Sequence, residues 1–158
     1  MLDPRGFVAT CNSTNFFIVR RGEILAPRAG HLMEGITRRK VISLAQGLGL
    51  RCTLCEFGLS EVYAADEAFV TGTFGGVVHV DEVDGRRIRG RDWEGGQETP
   101  AQKGQVYMSA PDLASAPQAG EAPRSAAADE GPITRRLMDA YRALCDAEAG
   151  KGREAASS

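Results

Sequence analysis

No stretch of this chain is apolar for long enough to cross a bilayer, which excludes a helical membrane span. The first residues, Met1-Leu2-Asp3-Pro4-Arg5-Gly6, hold no apolar core of the kind a secretory signal needs. Both absences point to a cytoplasmic protein, or to one carried into an organelle by a segment not contained here. An excess of basic charge is also missing. Lys and Arg total 19 against 21 Asp and Glu, and the net charge of -2 leaves no electrostatic basis for a nucleic-acid partner. Histidine occurs twice, as His31 and His79, with no cysteine beside either, so no metal site is expected. Cysteine occurs four times. The spacing Cys52-Thr-Leu-Cys55 suits a metal or redox pair, but a zinc site wants four ligands and a second pair is missing. The plainer reading is two small apolar residues packed along an extended run, their thiols unpaired in a reducing compartment. No Ser-His-Asp spacing and no internal repeat is visible.

What is present is globular: 42% of the residues are apolar and 25% charged over 158 residues, enough for one cored domain. Asn15 to Arg20 is rich in aromatic and β-branched residues and predicts a buried strand. Arg21-Gly22 turns it into Glu23 to Ala26, a hairpin closed by Pro27. Val41, Leu44, Ala45 and Leu48 fall on one helix face, with Gly47 and Gly49 as the stop. A strand is expected over Cys52 to Phe57, and one or two helical turns over Leu59 to Tyr63 with Ser60 as the cap. Another strand follows over Glu67 to Val70, then one from Val77 to Val83 that Asp84-Gly85 turns into Arg86 to Ile88. Residues 1–90 thus form the first part of a domain. Residues 91–130, dense in Gly, Pro, Ala, Ser and Gln, read as a disordered insert. A helix over 131–149 completes the domain, and 150–158 is a frayed tail. The mixture is α/β, or mixed α+β.

Two loops are candidates for holding an anion. Gly35-Ile36-Thr37 sits where a loop becomes a helix, so free N–H groups and the positive end of the helix dipole converge there. Its ordinary reading is a helix cap. Thr71-Gly72-Thr73-Phe74-Gly75-Gly76 follows an apolar strand and brings backbone N–H groups close to any ligand. Its ordinary reading is a glycine-rich turn. Together the two loops could face one phosphate. Asp66-Glu67 reads as a charged lead-in to a strand rather than as acid-base machinery, and His79 as a strand residue that faces solvent or packs.

Several blocks recur in a family order: residues 6–19 (Gly-Phe-Val-Ala-Thr-Cys-Asn-Ser-Thr-Asn-Phe-Phe-Ile-Val), Gly35-Ile36-Thr37-Arg38, residues 65–73 (Ala-Asp-Glu-Ala-Phe-Val-Thr-Gly-Thr), Asp84-Gly85-Arg86, and Gly131-Pro132-Ile133-Thr134-Arg135-Arg136-Leu137. In these the chain resembles the class IV aminotransferases dependent on pyridoxal 5'-phosphate (PLP), which include branched-chain and D-amino-acid aminotransferases. The resemblance implies the large C-terminal domain of the D-amino-acid aminotransferase-like fold, incomplete at its N-terminus. It implies PLP as cofactor, an amino acid and a 2-oxo acid as substrates, and a homodimer. It places Ile36, Thr37 and Thr73 on the cofactor phosphate, Thr10 at the pyridine nitrogen, and the backbone N–H of Phe74 on the substrate carboxylate.

The chain departs from that family in three respects. The family lysine that forms a Schiff base with PLP lies upstream of the first block, and none of Lys40, Lys103 and Lys151 matches it. Most of the family has glutamate where this chain has Thr10, and a hydroxyl can hydrogen-bond the pyridine nitrogen but cannot carry the counter-charge; a subgroup in which threonine serves would look the same. The third departure is the insert. The leading expectation is therefore a truncated aminotransferase with no catalytic residue of its own, the alternative an inactive binding or regulatory module, and a stand-alone lyase the remote third. Strands left without their neighbours would present open sheet edges.

Overall fold

The computed structural model describes residues 1–28, 30, 32–88 and 131–155. The expected insert over 91–130, with Lys103, and the loop residue His31 lie outside the described residues. A five-stranded mixed sheet has the order β3-β2-β1-β4-β5, with β1 Asn15–Arg20, β2 Glu23–Pro27, β3 Cys52–Cys55, β4 Glu67–Gly72 and β5 Gly76–His79. Only β2 and β3 run parallel. A small hairpin of β6 Glu82–Val83 and β7 Arg86–Arg87 stands beside it. The helices are α1 Ile36–Gly47, α2 Leu59–Tyr63 and α3 Pro132–Ala155.

β1 is central because its sequence can be covered on both faces. Phe17 and Val19 point into a core shared with Val41 and Ala45 of α1 and Ile133 and Leu137 of α3. Phe16 and Ile18 point the other way, into a core with Val8, Phe57, Val62 of α2, and Ile88. Phe17 and Phe69 are register partners on β1 and β4, and their rings stack with centroids 4.8 Å apart. Both are fully buried; losing such a ring to alanine costs about 3–5 kcal/mol.

The turns follow their residues. Arg21-Gly22 (φ 52° and 77°) and Asp84-Gly85 (φ 53° and 74°) each hold two successive left-handed residues, the twist a two-residue hairpin needs. The Arg21 N–H donates to Asp66 Oδ2 at 2.5 Å, which steadies the first of them.

Several boundaries differ from the sequence expectation. Pro27 is the last residue of β2 rather than a stop. α1 ends through Gly49 alone: its N–H donates to Gln46 O, that of Leu50 donates to Ala45 O, and its φ is +71°. Gly47 is simply the last helical residue. α2 is capped by Gly58, whose N–H donates to the Glu61 carboxylate at 3.0 Å, so Ser60 lies inside the helix. β3 stops at Cys55, and the run from Val77 to Val83 divides into β5 and β6. α3 continues to Ala155, past the expected end at 149 and into the tail read as frayed.

α3 is fastened to the sheet by Glu67, a residue expected only to lead into a strand. Its carboxylate is buried and accepts the N–H of Ile133 at 3.1 Å and of Thr134 at 2.7 Å. Pro132 has no N–H to satisfy, and the first turn contains no acid of its own. The approach is so close that a Cβ on Gly131 would lie 2.0 Å from Glu67 Cδ. Glycine is required there, and a charge from β4 takes the part of a cap.

Candidate functional site

Three segments meet at one end of the strands β1 and β4. The first is the loop before β1. Cys11 and Thr14 pair across a tight turn in which Ser13 takes φ 57°. Thr10 Oγ1 lies 2.6 Å from Thr14 O and donates to it, so its proton is committed and its lone pairs remain free. The second segment is the start of α1. Asn15 is buried, donates from Nδ2 to Met33 O at 2.8 Å, and places Oδ1 where a Cβ on Gly35 would be 2.7 Å away. It thereby fixes the path into the helix. Gly35 caps α1 without a side-chain hydrogen bond, and no acidic residue occupies the first turn. The amide donors at this helix start are therefore left for another acceptor. The third segment is the β4–β5 turn. Gly72 lets Thr14 pack against it, since a Cβ there would meet Thr14 Cγ2 at 3.0 Å.

Between them lies a cleft of about 250 Å³ whose walls include Thr10, Ile36, Thr37 and Thr73. Thr37 is buried and Ile36 exposed. Phe74, one residue further, lines a neighbouring cleft between the turn and α3, and its side chain is fully exposed.

Two side chains of the cleft were given no role from the sequence: Asn15, and Thr71, which was noted only as the first residue of the glycine-rich loop. Asn15 could have been suspected as the polar residue that opens a strand whose next four residues are apolar. Thr71 lies on β4, two residues before Thr73 of the turn that follows it. Its hydroxyl is buried and has no hydrogen-bond partner, and the residue belongs to the wall of the cleft. A buried hydroxyl without a partner is costly, and a ligand acceptor in the cleft would relieve it.

Other polar side chains lie elsewhere. Lys40 is outside the cleft wall and donates to Glu148 Oε2 at 2.5 Å, a bond that raises its pKa. His79 Nε2 is 2.7 Å from Asp81 Oδ1 on the edge strand. Cys52 and Cys55 sit on β3 as free thiols, and burial pushes both upward in pKa. Among the described residues no three His, Cys, Asp or Glu side chains converge as a metal site would require. Nor is any of their helices long and apolar enough to cross a membrane.

A mixed sheet with two helices packed on one face, and a cleft between a helix start and a glycine-rich turn, define an α/β domain. The family model for amino-transferase class IV matches residues 1–83. A branched-chain-amino-acid aminotransferase of Pseudomonas aeruginosa is 43% identical over 88 residues, 56% of this chain and 29% of that protein. Branched-chain-amino-acid aminotransferase-like protein 2 of Arabidopsis thaliana is 32% identical over 146 residues, 92% of this chain and 20% of that protein. Among solved structures, the T.th. branched-chain amino acid aminotransferase with pyridoxamine 5'-phosphate superposes with a TM-score of 0.63 at 28% identity. That superposition covers 89% of this chain and 35% of the other. The chain belongs to the class IV aminotransferase family, and it spans about a third or less of each of these relatives.

Proposed function

We propose that these 158 residues are the cofactor-phosphate part of a PLP-dependent aminotransferase that moves an amino group between a branched-chain or similar amino acid and a 2-oxo acid. The reading is carried by the cleft over α1. An uncapped helix start, two threonine hydroxyls from separate loops and a buried threonine hydroxyl without a partner all border it. That donor set fits a phosphate. A solved relative holding pyridoxamine 5'-phosphate supports the same assignment.

In this reading Thr37 and the amides of Ile36 and Thr37 hold the phosphate, and Thr73 donates from the opposite wall. When bound, PLP supplies the electron sink of its pyridine ring. Thr10, its proton given to Thr14 O, offers the ring nitrogen a lone pair. It can therefore accept from a protonated nitrogen but adds no negative charge. The Phe74 N–H meets the substrate carboxylate, and the working unit is a homodimer. The transfer itself needs a lysine amine, and Lys40 is held on Glu148 away from the cleft. The lysine is then supplied by chain outside these residues. The four free thiols suit a cytoplasmic setting.

The deciding measurement is the intact mass of the protein as its own cells make it. A mass well above 16.9 kDa, with transamination of a branched-chain amino acid, is the expected result. A mass near 16.9 kDa would instead favour an inactive module that binds PLP, a reading that Thr10 and the placement of Lys40 also support.

A further inference from the structure

We infer that Tyr141 of α3 is a positioning residue for the phosphate seat, acting through the hydroxyl of Thr37. The inference rests on the assignment of that cleft to a cofactor phosphate. Tyr141 OH lies 3.5 Å from Thr37 Oγ1. It is absent from the wall of the 250 Å³ cleft and lines the neighbouring one, so it stands behind Thr37 rather than beside the ligand. Its ring is pinned from the other side. A Cβ on Gly76 would be 2.9 Å from Tyr141 Cε1, so only glycine at that turn leaves room for the ring. The same side chain thus touches both loops of the seat, one by its ring and one by its hydroxyl.

The chemistry gives the contact a direction. A phosphate is an acceptor, so Thr37 serves it by donating its one proton. Thr37 Oγ1 then needs a donor of its own, and the phenol O–H behind it supplies one. A hydroxyl that accepts a hydrogen bond donates more strongly in turn. At 3.5 Å the two oxygens are farther apart than a full hydrogen bond, and closure of that gap is expected when an anion fixes the Thr37 proton.

The test is isothermal titration of the 158-residue chain with PLP and with pyridoxal, which lacks the phosphate. Tyr141→Phe keeps the ring on Gly76 and removes only the hydroxyl. It should weaken PLP binding about fivefold and leave pyridoxal binding unchanged. In a Thr37→Ala background the same change should have no further effect, whereas in Thr37→Ser the fivefold loss should return. PLP affinity equal to that of the unaltered chain would overturn the inference. So would equal losses for both ligands, or an undiminished loss without the Thr37 hydroxyl. If the unaltered chain shows no preference for PLP over pyridoxal, the phosphate assignment fails and this inference falls with it.

Discussion

Thr71 sets two effects of opposite sign against each other at one atom. Its hydroxyl is buried and unpartnered in the free chain, yet it borders the cleft. Thr71→Val keeps the shape and removes the polar atom. The free chain should gain about 1 kcal/mol, a rise in Tm of about 2–4 °C, because a stranded hydroxyl is gone. PLP affinity should fall by severalfold in the same variant. Calorimetry and titration together check it, and a fall in both quantities would mean that the hydroxyl serves the fold instead. The thiols separate in a similar way. Burial holds the Cys52 thiol above its ordinary range, with Glu23 and Cys55 adding to the rise and Arg38 opposing it. Cys11 is exposed. Alkylation followed by peptide mapping should therefore mark Cys11 first and Cys52 slowly. The sign for stability follows from the same rise. Below the ordinary thiol range both states keep the Cys52 proton and its contribution is intact. As pH climbs, the unfolded chain ionises first and that contribution is lost. Chemical denaturation followed through the alkaline range should show the decline, and Cys52→Ala should flatten it.

At the scale of elements, Glu67 and Gly131 are a matched pair. Glu67→Gln keeps the size and loses the charge that serves two N–H donors. A cost of about 2 kcal/mol and a Tm lowered by about 4–8 °C are expected. Gly131→Ala should do more harm, since its methyl would have to occupy the space of the carboxylate. Thermal unfolding by circular dichroism reads both, and a Gly131→Ala chain as stable as the original would refute the close approach. This joint was hidden in the sequence because it links residues 67 and 131, and local pattern carries no information across that distance. The two hairpin turns were legible because Arg-Gly and Asp-Gly declare their own backbone geometry. β1 was legible because Phe16 to Val19 is an unbroken run of aromatic and β-branched residues. Ser60 misled because a serine near a helix start is a good local guess, while Gly58 takes the capping role through Glu61, three residues on in the first turn. Of the site, the anion loops were visible as a helix start and a glycine-rich turn. Asn15, Thr71 and Tyr141 depend on which strand faces which helix, and only the fold decides that.

For the whole molecule, the balance of covered and uncovered surface matters most. β3 and β5 are the edges of the sheet, and Leu54 on β3 and Val78 on β5 are partly exposed. A third cleft, of about 320 Å³, with Leu2, Val8, Phe16, Val62, Val70 and Val83 on its walls, opens on the face away from α1 and α3. Uncovered strand edges and an open apolar groove both invite association. The isolated chain should accordingly bind a hydrophobic dye and unfold over a broad temperature range. A sharp, concentration-independent transition would show that this part of the family fold is self-sufficient.

The seat that Glu67 provides for α3 also separates position from connectivity. Where the helix docks is decided by two N–H groups, a glycine and a buried carboxylate, not by the length of chain between β7 and Gly131. The connection from Ile88 to Gly131 is then not what holds the helix in its place. Cutting it altogether should turn one molecule into two that recognise each other. A peptide of residues 131–155 added to a chain ending at 88 would rebuild the same core, with an affinity that Glu67→Gln lowers.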